Sequence, residues 1–339
     1  MKQNRILLIL VVVLAAGISW FIFTQSSSTL GRELQNFSIE DTASIDKIFI
    51  ADKNGNSSTL DRISPTSWKV NNKYPVRPDA MNTLLQTFNK MKVRNPVAKS
   101  LEPKVLRDLA GPVQKKVEVF SNGRLIKTLY VGTESVDKLG TYMLLENSSA
   151  PFEVHIPSHR GFLQSRFIVD EDIWRDPAIF RYDYRDIRSV QVRYPEVPMQ
   201  GFDLTYDGKE VKMSSTPGSS SYSPNLDTLR GMQYLNEFRN IGYEYVVVPN
   251  FPKAQKDSIL ASQPFAIIKV SDKNGIVNEV KGFHRKSPGP VSDLLTVPDQ
   301  EYDVDRLYGL VNGKDFVLIQ FFQFDRVLKT RSWLEGKQN

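Results

Sequence analysis

The sequence predicts an α+β chain: an N-terminal transmembrane helix, then two tandem copies of a mostly antiparallel sheet unit with helices packed on one face. Three observations predict it. An uncharged apolar run opens the chain. Asn-Gly and Asp-Gly dipeptides punctuate strand-like segments after it. A helical stretch around Leu84 is matched in residue class by one around Gly231.

The opening run, Ile6 to Phe23, has 18 residues and no charge. As a helix it spans about 27 Å, close to the ~30 Å of a hydrocarbon core. Ile6, Leu10, Leu14, Trp20 and Phe23 are its anchor residues. Lys2 and Arg5 precede it, whereas Thr24 to Gly31 adds no basic counterweight until Arg32. That asymmetry predicts a cytoplasmic N-terminus and a chain that continues outside the membrane. Ala15-Ala16-Gly17 imitates a signal-peptide cleavage site, but the apolar run continues past it, which favours an uncleaved anchor.

The predicted organisation is therefore a tail at 1–5, a span at 6–23, a spacer at 24–44, a first repeat at 45–180 and a second at 181–339. In the first repeat, Asp46–Ala51 and Ser58–Ile63 flank Asn54-Gly55 as a hairpin. Further hairpins are centred on Asn122-Gly123, Asp207-Gly208, Asn274-Gly275 and Asn312-Gly313. Arg77-Pro78-Asp79 opens a helix with Asp79 as the expected cap. Met81, Leu84, Leu85, Phe88 and Met91 form its single apolar stripe. A shorter helix is expected from Pro103 to Leu109. Leu84–Lys92 aligns with Gly231–Arg239 at an offset of 147, and Ile45–Ile50 with Ile187–Val192 at 142. Offsets that drift this way fit loop insertions between related units. The serine-rich stretch at 214–221 occupies the place of Trp68-Lys69-Val70 and the approach to the helix, and predicts a strand lost or hidden in the second copy.

Composition narrows the function classes. The net charge is +6, from 44 Lys and Arg against 38 Asp and Glu. Lys2 and Arg5 supply two of those positive charges, and the rest are interspersed with acids. Nucleic-acid binding is not predicted, because no basic patch interleaved with aromatics is present. The absence of cysteine excludes disulfides, thiolate metal sites and cysteine nucleophiles. His155 and His159, with Glu153, fall short of a zinc ligand set, and no cofactor or metal is predicted. No nucleophile elbow or phosphate-binding loop is present, so no catalytic residue is assigned. Asp41-Thr42-Ala43 resembles a short bacterial O-glycan acceptor pattern.

Two groups of residues remain as a possible interaction surface. Trp68 and Tyr74 flank the first helix. Asp170, Glu171 and Asp172 surround Trp174. Aromatic residues at such positions suit protein interfaces, and the carboxylates suit acid–base chemistry if they share a pocket.

Ile48–Gly55, Trp68–Asn71, the Pro78 helix, Gly140–Met143 and Asp170–Asp176 together resemble a bacterial family, the domain of unknown function 4340. Related domains resemble parts appended to auxiliary subunits of gliding-type ABC transporters. The resemblance implies an inner-membrane protein of Gram-negative bacteria with its bulk in the periplasm. It also implies an interaction or accessory role beside other envelope membrane proteins. The alternatives are a periplasmic ligand binder using the cleft between the repeats, and an envelope hydrolase using the acidic residues.

Overall fold

The computed structural model describes residues 36–112, 114–148, 150–247, 251–287 and 301–337. The chain divides into two compact units, one ending at Asp176 and the other beginning at Pro177.

Unit 1 runs β1 (Ile45–Asp52), β2 (Ser57–Ser64), β3 (Ser67–Val70), β4 (Tyr74–Pro75), α1 (Pro78–Lys90), β5 (Lys92–Pro96) and α2 (Glu102–Leu109). It continues with β6 (Lys115–Ser121), β7 (Arg124–Glu134), β8 (Thr141–Leu145), β9 (Phe152–His155) and the one-turn helix α3 (Glu171–Trp174). Its strands form one antiparallel sheet in the order β4-β3-β2-β1-β6-β7-β8-β9-β5. Asn122 and Gly123, with φ of 50° and 71°, turn β6 into β7 as a primed hairpin requires.

Unit 2 runs β10 (Ala178–Phe180), β11 (Ile187–Arg193), β12 (Phe202–Tyr206), β13 (Val211–Met213), α4 (Thr228–Glu237), β14 (Ile241–Gly242), β15 (Tyr245–Val246) and α5 (Lys253–Ala261). Then follow β16 (Ala266–Asp272), β17 (Val277–Lys286), β18 (Tyr302–Val311), β19 (Asp315–Gln320), α6 (Phe321–Phe324) and α7 (Arg331–Leu334). Its main sheet has the order β13-β12-β11-β16-β17-β18-β19-β15. Apart from β4, this is the order of unit 1, element for element. The buried positions of the first helices also correspond. Leu84, Thr87, Phe88 and Met91 are buried, as are Gly231, Tyr234, Leu235 and Phe238, 147 residues on.

The expected fold class needs correction. Among the described residues the chain is mostly antiparallel sheet, and its longest described helix has 13 residues, too short for the span the sequence predicts. No helix among the described residues is long and apolar enough to cross a membrane. The expected transmembrane helix, with Ile6, Leu10, Leu14, Trp20, Phe23 and the topology residues Lys2 and Arg5, lies outside the described residues.

The helices also do not share one face. In unit 2, Tyr234 and Leu235 of α4 pack with Val190, Ile268, Val280 and Ile319. Ile259 and Leu260 of α5 pack with Phe283, Tyr308, Phe316 and Leu318. These alternate along β17–β19 with residues of the first core, so they belong to the opposite face. Unit 1 repeats the arrangement: α1 joins the core of Ile48, Val117, Leu129 and Val154, while α2 packs on β7 and β8. Topology supplies the reason. The chain crosses the whole sheet to place β5 at the far edge, then must return to the middle for β6. Two connections over one face would collide, so the return uses the other face.

Two local expectations change as well. The helix cap is Arg77, and Asp79 sits in the first turn, where its carboxylate accepts from Arg77 at 2.9 and 2.7 Å. β13 fills the place of Trp68–Val70, whereas β4, on the approach to the helix, has no counterpart strand among the described residues of unit 2. The serine-rich stretch forms the loop of a wide hairpin closed by the Ser214–Tyr222 bridge, where unit 1 turns tightly through Asn71 and Asn72.

The segment entering unit 1 is clasped by one lysine. Phe37 and Ile39 are buried, and the Lys127 Nζ donates to the carbonyls of Asn36 and Ser38 at 2.6 Å each. Burial pushes the Lys127 ammonium down to about 8. The folded state therefore sheds this proton near pH 8, while the unfolded chain keeps it to near pH 10.5. Stability contributed by this group thus rises with pH across that window. Chemical denaturation at pH 7.5 and pH 9.5 is expected to show a larger rise for the native chain than for Lys127→Met. Equal pH dependence in both would overturn the assignment.

Candidate functional site

The acidic segment at the end of unit 1 is built into the edge of its sheet. Asp170 caps α3, its Oδ1 accepting from the Asp172 amide at 2.8 Å. Glu171 accepts from Asn71 Nδ2 at 2.5 Å and lies 3.7 Å from Lys73 Nζ. Asp172 lies 3.3 Å from Arg175 Nη1, and Arg175, only 7% exposed, stacks on Tyr74 with its guanidinium carbon 3.7 Å from the ring centroid. Burial pushes the Asp172 carboxyl above the usual carboxylate range, and Arg175 opposes that rise.

Backbone bonds complete the seam. The Arg77 amide donates to the Trp174 carbonyl at 2.9 Å, the Asp176 amide donates to the Pro75 carbonyl at 2.8 Å, and Val76 bridges Arg175. The segment therefore covers β4, an edge strand that would otherwise offer unpaired backbone groups.

The tryptophans point inward. Trp174 is fully buried, and its Nε1 donates to the Ile168 carbonyl at 2.9 Å. Trp68 is 5% exposed, with the Arg62 guanidinium carbon 4.5 Å from its ring centroid. Tyr74 is half-buried beneath Arg175. The six residues expected as a surface thus divide. Tyr74, Asp170, Glu171, Asp172 and Trp174 gather at the β4 edge, and Trp68 and Trp174 serve the core of unit 1.

Glu153 of β9 is also engaged. It receives Arg94 Nη1 at 2.5 Å and Asn95 Nδ2 at 3.1 Å. Among the described residues no group of three His, Asp or Glu side chains is placed to hold a metal ion.

A cleft that the sequence reading did not single out lies in unit 2. It encloses about 620 Å³ between α5, the ends of β17 and β18, and the loop at Glu196. That volume is in the range of small-molecule sites. His284 and Tyr302 line part of it, and Phe265, packed against the α4-side core, stacks behind His284 to complete a three-ring column. Their centroids are 4.8 and 4.3 Å apart, with interplanar angles of 29° and 21°. From α5 and the residues after it, Gln255, Ser258 and Gln263 also line the cleft. Arg285 at the floor is held by Asp303, 7% exposed in its side chain, at 2.7 Å. A signal for this cluster exists in the sequence. The Asn274-Gly275 turn fixes a register with Ala266 opposite Gly282, which brings Phe265 to the level of His284. Recognising it requires the register, because the three rings are far apart in the chain.

A protein-family model described as Domain of unknown function (DUF4340) matches residues 68–263, more than half of the chain. The chain belongs to the DUF4340 family. No curated protein and no solved structure matches it. The DUF4340 match begins in β3 and ends just beyond α5, so it runs from one unit into the next. Gln255, Ser258 and Gln263 fall inside the DUF4340 match, whereas His284 and Tyr302 lie beyond it.

Proposed function

We propose that this DUF4340 chain is a non-catalytic interaction protein of the bacterial envelope, working as an accessory to a transporter or another membrane assembly. One observation carries the reading. Asp170, Glu171 and Asp172, the carboxylates on which a hydrolase would depend, are spent on capping α3 and fastening it to β4. An acid–base pair needs carboxylates free to face a substrate in a cleft.

The open sheet faces support binding. α2 packs on β7 and β8, and elsewhere on that face Lys47 and Asp61 pair at 3.7 Å with side chains 48% and 30% exposed. Such a polar, half-open sheet face is a usable docking surface. An envelope location is supported by the charge asymmetry at the start of the sequence.

The test is affinity capture of the full chain from gently solubilised bacterial membranes. A membrane protein retained in stoichiometric amount is expected. A second arm uses Asp172→Asn, which leaves Arg175 without its carboxylate. This change is expected to cost about 1–3 kcal/mol of stability and no turnover. Hydrolysis of envelope glycan or peptide by the native chain, lost in a folded Asp172→Asn variant, would overturn the proposal.

A further inference from the structure

We infer that the cleft of unit 2 is a carbohydrate-binding site for a neutral oligosaccharide. The inference goes beyond the interaction role and stands on the cleft alone. Its first support is the ring column. Phe265 backs His284 and His284 backs Tyr302, so the tyrosine ring is fixed by stacking while remaining 41% exposed. A rigid ring offers contact at little entropic cost. Its negative face complements the weakly positive C–H face of a pyranose.

The second support is the polar part of the lining. Each sugar hydroxyl donates and accepts at once, and suits side chains that do both. Gln255, Ser258 and Gln263 are of that kind, and none makes a side-chain hydrogen bond among the described residues. Glu196 adds a pure acceptor.

The third support is charge. Arg285 is already matched by Asp303, and Lys286 shares the cleft with Glu196. The site therefore has little surplus charge to reward a phosphate or carboxylate. A wholly apolar ligand would strand the amides and the hydroxyl without partners. A neutral polyhydroxylated ligand with an apolar face satisfies both the tyrosine ring and the polar side chains of the lining.

The experiment is binding of the purified full chain to an array of neutral and acidic pyranose oligosaccharides, followed by titration calorimetry with the best ligand. Retention of a neutral oligosaccharide is expected. Tyr302→Ala should weaken it about ten-fold or more. Ser258→Trp, which fills the cleft from an exposed helical position, should abolish it. Unchanged melting temperatures would separate these effects from unfolding, and Tyr302→Phe, which keeps the ring, should bind nearly as the native chain does. Failure of the native chain to retain any glycan would overturn the inference. So would a ligand whose affinity is unchanged from the native value in both Tyr302→Ala and Ser258→Trp, or a preference confined to acidic sugars.

Discussion

Trp174→Ala is expected to destabilise unit 1 by about 3–5 kcal/mol, the range for emptying a large buried aromatic site. For a unit of this size that corresponds to a fall in melting temperature of about 10 °C or more. The indole is fully buried, and its Nε1 bond to the Ile168 carbonyl disappears with it. The loss should also spread along the seam. The Arg77 amide donates to the Trp174 carbonyl and the Pro75 carbonyl accepts from the Asp176 amide, and the β4 edge depends on that pairing. Hydrogen exchange should therefore show lost protection at Arg77 and Asp176 before the β6–β7 ladder is affected. Trp174→Phe should be milder, since most of the cavity stays filled. A melting curve unchanged by Trp174→Ala would rule out the packing role assigned to this side chain.

Tyr234→Ala is expected to have a comparable effect in unit 2, again about 3–5 kcal/mol. The ring is fully buried and meets Phe202 and Phe238 edge-to-face at 5.4 and 5.2 Å. Its hydroxyl donates to the Val327 carbonyl at 2.8 Å, tying α4 to the chain beyond α6. Tyr234→Phe separates the two contributions. It keeps the packing but strands the Val327 carbonyl, for about 1–2 kcal/mol. Burial holds the phenol well above its usual range. The unfolded chain therefore ionises first above pH 10, and the native unit should lose stability there faster than Tyr234→Phe does. Equal losses for the alanine and phenylalanine variants would mean that the hydroxyl dominates and the packing account fails.

Much of this architecture is legible in the sequence where the signal is local. Asn122-Gly123 and Asn312-Gly313 mark tight turns because few other pairs tolerate two consecutive positive φ angles. The stripe through Met81, Leu84 and Phe88 gives the buried face of α1. The orientation of Trp68 was also there to be read. It shares strand parity with Val70, so both face the core. Trp174 is different. Its acidic neighbours make the segment look solvated, and the core it joins and the Arg77 amide that holds its carbonyl come from about a hundred residues earlier and more. The face chosen by α2 and α5 is likewise a property of the whole strand order, which no local window contains. The cleft of unit 2 needed the same long-range information, because Phe265, His284 and Tyr302 meet only once the β16–β18 meander is in register.

The repeated strand order has a consequence for how the chain reaches its native state. Each sheet must wait for a distant partner: β1 zips onto β6, and β5 onto β9, only after long intervening stretches have been made. Such topologies fold slowly, and their edges stay open meanwhile. Two copies of one blueprint on a single polypeptide add a competitor, since β5 could seek β19 and β15 could seek β9. The two edges differ in ways that discourage the exchange. β5 presents Lys92, Arg94 and a terminal Pro96 over five residues, whereas β15 presents only Tyr245 and Val246. Divergence between the copies thus disfavours the pairing of either edge strand with the other unit's sheet.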